Sequence, residues 1–500
     1  MRKLILLLAL AGLFSCGDPA GATATTATNN SGDNAASATA TSAISAAELD
    51  GRKLESPDIR VAIGGVPLEG ALLIGQYAEQ QFRADEGVVE GNAVVFRRAE
   101  PYKPGHYYCY FSDGAAVQML IDQDQTFTLS APSAQTALLD MKVDGSVDNQ
   151  LLYEVLKFEA GQQEEFRLLG EAVRGIRPGT PGYDELQADR AALVKTRTDY
   201  QDALFAKHPK SLFTSFKRAG RNPQLRDVRL PNGNIDEEAQ VAAFRDDFWE
   251  DVDFNDPRLL NTPVIFNKLK RYMKELTPQN ATAINESANK LMSKVLDKPD
   301  FFKFFANWIT LEYEPGKTTV MDGAAIHVNM IQNYFTKERA FWSDSMTVYG
   351  LQQRADQMAH SLVGQQGPDI TVPDVNGKPA RLYDLKKPFV AVYMYNPECE
   401  HCIEETPKFV AAMNKLKSEL DVYAIALDTE PAKWKNFIRA NGMDSWTNVY
   451  DPTNRSIFKT YYVDNTPELY LLDQNRKIVA KNLKVSQLEE AINMAKRNSR

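Results

Sequence analysis

The residues with the most definite chemistry are Cys399-Glu400-His401-Cys402. They follow the apolar run Phe389-Val390-Ala391-Val392-Tyr393-Met394-Tyr395, which reads as a central strand buried on both faces, and they open a helix expected over 402–420. Two cysteines three apart in the first turn of a helix can close a small disulfide. The free N–H groups and dipole of the helix N-terminus favour the thiolate of the first. In this setting C-x-x-C reads as a redox pair; half of a zinc site would need two further ligands. Once Cys16 is assigned below, the only other cysteine is Cys109, placed mid-strand in Tyr107-Tyr108-Cys109-Tyr110 and expected to be an inert buried thiol. The five histidines show no pair three to five residues apart and no HExxH pattern, so a zinc enzyme is not expected; the expected cofactor set is none. Around the pair two charges compete. Glu398 should oppose thiolate formation at Cys399, and a protonated His401 should favour it.

The elements that must hold this pair alternate strand, helix, strand. Asn376-Gly377 signals a hairpin turn. Further strands are expected at 422–427, 468–472 and 478–480, a helix at 431–440, and a last helix opened by a capping box at Ser486-Gln487-Leu488-Glu489. Residues 361–500 therefore read as an α/β sandwich with a mixed sheet. Upstream, 57–145 carries short alternating runs at 59–63, 71–77, 93–97, 106–111, 117–121 and 126–129, read as a small antiparallel β-sandwich or barrel. Over 146–360 the period turns helical, with apolar stripes such as Phe244, Phe248, Trp249 and Val252, and eight or nine helices are expected. Aromatic stripes at this spacing mean core packing, and no catalytic constellation is found there. The expected architecture is thus multidomain, with 1–15 a leader, 16–56 a linker and three folded parts.

The leader sets the compartment. Met1-Arg2-Lys3 precedes eleven apolar residues, about 16 Å of helix and half of what a bilayer requires, so 1–15 reads as a signal peptide. It ends in Leu13-Phe14-Ser15-Cys16, which resembles the bacterial lipoprotein box and implies lipidation of Cys16. Of residues 20–47, 24 are Ala, Thr, Ser or Asn, too few large apolar groups to offset ordering entropy, so a disordered tether follows. The protein is expected in the cell envelope, anchored by acyl chains on the periplasmic face or outer membrane. With 57 basic against 66 acidic residues and no basic block, nucleic acid is not an expected partner.

The last 140 or so residues resemble the thioredoxin fold, specifically the TlpA/ResA type of envelope thiol–disulfide oxidoreductase. The segment 364–377, beginning Gly-Gln-Gln-Gly-Pro-Asp-Ile, resembles that family's hairpin entry; 399–407 reads C-x-x-C-x-x-E-x-P, with Glu405 and Pro407 in place. Thr466-Pro467, just before the strand at 468–472, matches the cis-proline that faces the disulfide. The sequence departs from the family in having Glu398 where Trp is frequent. The resemblance implies that Cys399 is the attacking thiol and Cys402 the buried resolving thiol. It implies that Glu405 assists proton transfer, the plain alternative being a solvated carboxylate like Glu404. It also implies that Pro467 shapes a substrate groove in which the Thr466 backbone pairs with a peptide. The implied partners are envelope protein thiols or disulfides and a membrane electron donor or acceptor. Two rival readings stand beside it. A thiol peroxidase shares the fold, but neither the proline nor the threonine of its P-x-x-x-T-x-x-C signature precedes Cys402, where Tyr395 holds the proline place, and the pair here is C-x-x-C. A surface ligand-binding lipoprotein, with a redox-regulatory thioredoxin domain, would show an apolar cleft in the first 360 residues.

Overall fold

The computed structural model describes residues 54, 56–177, 180–453, 457, 460–463 and 465–498. The expected leader, Cys16 and all of the expected linker except residues 54 and 56 lie outside them. The chain forms two compact units, 1–276 and 277–500, and the division falls inside the stretch expected as one helical domain.

The first unit opens with nine strands in two sheets: β1 (Asp58–Ile63), β2 (Leu72–Tyr77), β3 (Gln80–Glu86), β4 (Val88–Glu90), β5 (Ala93–Arg97), β6 (Gly105–Tyr110), β7 (Ala116–Ile121), β8 (Thr126–Ala131) and β9 (Lys142–Asp144). Their orders are β4-β5-β1-β8-β9 and β3-β2-β6-β7. The strands legible in sequence are those that alternate: Ile59, Val61 and Ile63 of β1 and Phe127, Leu129 and Ala131 of β8 all point inward. β3, β4 and β9 carry no such signal, because each is a sheet edge and buries almost nothing. The sheets are not wholly antiparallel as expected, since β1 runs parallel to β8. Cys109 lies on β6, fully buried, and burial pushes its thiol up to about 12.

The longer helices α1 (Val147–Gly175), α2 (Pro181–Lys207), α3 (Leu212–Ala219), α4 (Glu237–Asp247) and α5 (Pro263–Arg271) follow in this unit. Ser146 caps α1, its hydroxyl accepting the Asn149 N–H at 3.3 Å. Phe244, Phe248, Trp249 and Tyr272 pack against one another as core, with Phe248 and Tyr272 stacked at 6.1 Å.

The second unit begins with α6 (Ala281–Ser293), α7 (Pro299–Glu312), α8 (Gly323–Tyr334) and α9 (Ser345–Met358), which bring the α-helices described between 146 and 360 to nine. The aromatic run at 301–305 places Phe301, Phe302 and Phe305 in the core. The α/β part follows: the hairpin β10 (Thr371–Pro373) and β11 (Pro379–Arg381), then β12 (Phe389–Tyr395), α10 (Glu400–Leu416), β13 (Leu420–Ala426), α11 (Pro431–Asn441), β14 (Thr447–Tyr450), β15 (Glu468–Leu472), β16 (Ile478–Ala480) and α12 (Leu488–Asn498). The sheet order is β14-β13-β12-β15-β16. β12–β13 and β13–β14 are parallel, while β12–β15 and β15–β16 are antiparallel, so the sheet is mixed. Every residue of β12 is buried. Tyr393 and Tyr395 serve the core on the α10 side and Val390, Val392 and Met394 serve the other.

Three local expectations are corrected. α10 ends at Leu416 rather than 420, because Leu420 and Val422 are drawn into β13 and the core beneath it. β14, a four-residue edge strand, was not anticipated from the sequence pattern. At the last helix the cap is Lys484, whose N–H donates to the Gln487 side-chain oxygen at 2.9 Å, in place of the expected Ser486–Glu489 box.

Candidate active site

The strand–helix junction places the two cysteines differently. Cys399 is the N-cap of α10, with extended backbone angles, and its carbonyl accepts the first helical bond from Ile403 at 3.0 Å. Cys402 lies one turn in and is fully buried, whereas Cys399 is partly exposed; neither is in a disulfide. The two thiols therefore differ in access to solvent.

The electrostatics follow the placement. Burial works against ionisation of Cys399. It is outweighed by hydrogen bonds from the Cys402 amide and thiol, the Thr466 side chain and the His401 amide, so the Cys399 thiol sits below its ordinary value. Cys402 moves the other way. Burial pushes it up to about 11, despite the Asn396 N–H that reaches its sulfur at 3.4 Å, and the neighbouring Cys399 adds to the rise. His401, exposed, contributes to Cys399 through its backbone amide. The carboxylate of Glu398 is held by Lys433 at 2.7 Å, so the acidic neighbour expected to disfavour the thiolate has a counter-ion.

Opposite the pair stands the turn before β15. Thr466–Pro467 is a cis peptide bond, and Cys399 Sγ donates to the Thr466 carbonyl at 3.4 Å. Thr466 and Pro467 are both partly exposed. The structure thus brings Cys399, Cys402, Thr466 and Pro467 into one site. Glu405 lies further along α10, partly exposed, and is bound by Lys408 at 2.7 Å.

Several participants have no place in the sequence reading. The buried Thr406 hydroxyl donates to the Cys402 carbonyl at 2.7 Å and meets the Tyr393 hydroxyl at 2.9 Å, joining the helix that carries Cys402 to the central strand. Tyr393 and Tyr395 stack at 5.3 Å, and Trp434 Nε1 donates to the Tyr395 hydroxyl at 3.1 Å. With Phe409 and Phe437 these rings share one core with Cys402. A threonine four residues after a helical cysteine has the spacing of a back-bond to the helix carbonyl, so Thr406 was findable. Lys433, 35 residues from Glu398, carried no such signal.

A dithiol split between a partly exposed helix cap and a buried first turn, beside a cis-proline at the same end of a mixed five-stranded sheet, defines a thioredoxin-like thiol–disulfide oxidoreductase. The AhpC/TSA family matches residues 363–481. Over 121 residues the chain is 31% identical to the thiol-disulfide oxidoreductase ResA of a Bacillus cereus strain, covering 24% of this chain and 68% of that protein. Through this C-terminal part the chain belongs to the AhpC/TSA family, with the ResA-type thiol–disulfide oxidoreductases as its relatives. The ResA of Bacillus subtilis is 27% identical over 117 residues, 23% of this chain and 64% of that one. Among solved structures, a domain of a possible thiol-disulfide isomerase from Cytophaga hutchinsonii is 31% identical. It covers 28% of this chain and 97% of that one, with a TM-score of 0.27.

Proposed function

We propose that this oxidoreductase works in the cell envelope, anchored through a lipidated Cys16, and exchanges disulfides with protein thiols there through Cys399 and Cys402. The Cys399 thiolate attacks one sulfur of a substrate disulfide and expels the other as a thiolate. Cys402 then loses its proton, to Glu405 in this reading, and attacks the Cys399 sulfur. The substrate leaves as two thiols and the enzyme as a disulfide, and the same atoms run the reverse reaction. A membrane electron donor or acceptor resets the pair. The Thr466 backbone pairs with the peptide strand of the substrate, and Pro467 shapes the groove beside it.

The observation that supports this reading is the opposed shift of the two thiols, Cys399 lowered and Cys402 raised to about 11. Such a split suits one sulfur to attack and the other to wait. The anchor rests on the Leu13-Phe14-Ser15-Cys16 box and the composition of 20–47.

The test is a trap. Cys402→Ser, expressed in the native host, should accumulate mixed disulfides between Cys399 and envelope proteins, released by reductant. Two cysteines that are both alkylated on denaturation after equilibration at an oxidising envelope potential would defeat the redox reading, and robust peroxide consumption would replace it with a thiol peroxidase. Cys16→Ser should yield an exported form that no longer partitions with membranes; unchanged partitioning would remove the acyl anchor.

A further inference from the structure

The second unit holds two parts that the sequence reading kept separate, the helices α6–α9 and the α/β sheet. Their contacts converge on the approach to the cis-proline. Arg354, on α9, donates from Nε to the Tyr462 hydroxyl at 2.7 Å, and its guanidinium lies 5.8 Å from the centre of that ring. Tyr462 is tied in turn to β15, its carbonyl accepting the Tyr470 hydroxyl at 3.3 Å. Gly316, in the loop between α7 and α8, has φ +83°; a Cβ there would stand 2.9 Å from Asn465 Nδ2. Asn465 is the residue before Thr466.

The same loop is fixed at its far end by a buried ionic contact. Asp322, which caps α8, accepts the Val363 N–H at 2.7 Å and lies 3.9 Å from Lys481 Nζ, both side chains almost fully buried. Lys481 also donates to the Ser361 carbonyl at 3.2 Å and sits 5.0 Å from the centre of the Tyr470 ring. An ion pair taken out of water holds its geometry, because breaking it strands a buried charge. At its near end Glu314 is held below the usual carboxylate range chiefly by Lys317, with Arg354 adding to the effect. The loop from Glu314 to Asp322 is therefore anchored at its Asp322 end, with Glu314 paired to Lys317 within it, while Gly316 lies against Asn465.

We propose that Arg354 is a positioning residue for substrate recognition: through Tyr462, and together with the Gly316–Asn465 contact, it sets the backbone edge at Thr466 on which a peptide disulfide docks. The helices α6–α9 thereby select for substrates with an extended peptide backbone over small disulfides. Arg354 itself touches neither cysteine. This assignment rests on the thiol–disulfide reading above and adds the substrate class to it.

The experiment compares two probes with the same leaving group in the reduced full chain: glutathione disulfide, and a ten-residue peptide whose single cysteine is disulfide-bonded to glutathione. With the peptide, Cys399 takes the peptide sulfur and releases glutathione. Cys402 then closes the enzyme disulfide and frees the peptide thiol. Arg354→Ala should raise KM for the peptide about fivefold to tenfold, leaving kcat and the pH profile of Cys399 alkylation in place. The rate with glutathione disulfide should change less than about twofold. Tyr462→Phe, which keeps the ring and removes the acceptor, should give the same peptide defect, and the double variant should be no worse than either single one. Arg354→Lys, which keeps a donor, should recover part of the loss. Parallel changes with both probes, no change with either, or additive effects in the double variant would overturn the assignment. An unaltered chain that exchanges with neither probe would instead overturn the reading of the cysteines on which it rests.

Discussion

Cys399 Sγ and the Thr466 carbonyl oxygen meet at 3.4 Å although the two residues are 67 positions apart. The antiparallel pairing of β12 with β15 puts Met394 beside Glu468. The outgoing end of one strand and the incoming end of the other therefore share one edge of the sheet. The cysteine pair leaves from the first and the cis-proline arrives at the second, so neighbouring strands in space join what the chain separates.

Native alkylation should be strongly selective. Cys399 is partly exposed and lowered in pKa, while Cys402 and Cys109 are fully buried, with thiols near 11 and 12. The thiolate is the nucleophile, so iodoacetamide at neutral pH should label Cys399 and spare the other two. Peptide mapping by mass spectrometry checks this, and rapid labelling of Cys402 in the folded chain would contradict the geometry.

The pair should also leave a signature in stability against pH. Cys399 has a folded pKa below the ordinary 9.0, so from that lowered value up to 9.0 the unfolded state holds the extra proton and stability rises with pH. Cys402 is raised to about 11, so between 9.0 and 11 the folded state holds the extra proton and stability falls. The reduced protein minus a Cys399→Ser/Cys402→Ala variant should therefore show a maximum near pH 9 in urea unfolding. A monotonic difference would mean that one of the two shifts has the wrong sign.

Thr406→Val keeps the shape of a buried residue but removes the hydroxyl shared by the Cys402 carbonyl and the Tyr393 hydroxyl. Loss of that link should cost about 1–3 kcal/mol, since a buried tyrosine hydroxyl loses a partner. Urea unfolding followed by fluorescence would measure it, and a cost near zero would show that the network contributes little.

Lys433→Ala should release the Glu398 carboxylate next to Cys399. The exposed negative charge disfavours the thiolate, so alkylation of Cys399 at neutral pH should slow, by no more than about fivefold for a surface pair. The difference should fade in 1 M salt, where the Debye length is about 3 Å. An effect that persists in salt would point to a rearranged helix terminus instead.

The elements legible in the sequence share one property, a strong burial period. β12 reads as a continuous apolar run because both its faces are covered. β1 and β8 read as alternating because one face is. The strands that escaped, β3, β4, β9 and β14, lie at sheet edges. The first three bury almost nothing, and β14 is four residues long.

The same division runs through the site. The amino-acid order alone determined the C-x-x-C pair, its place between a buried strand and a helix start, and the Thr466-Pro467 step, because each depends on residues adjacent in the chain. Only the tertiary structure decided which groups act on them. Lys433 meets Glu398, Thr406 joins Cys402 to Tyr393, and Arg354 holds Tyr462 across 108 positions. Charge pairing and hydrogen bonding act over a few ångströms whatever the separation along the chain, so they become visible only once the packing of strands and helices has set those distances.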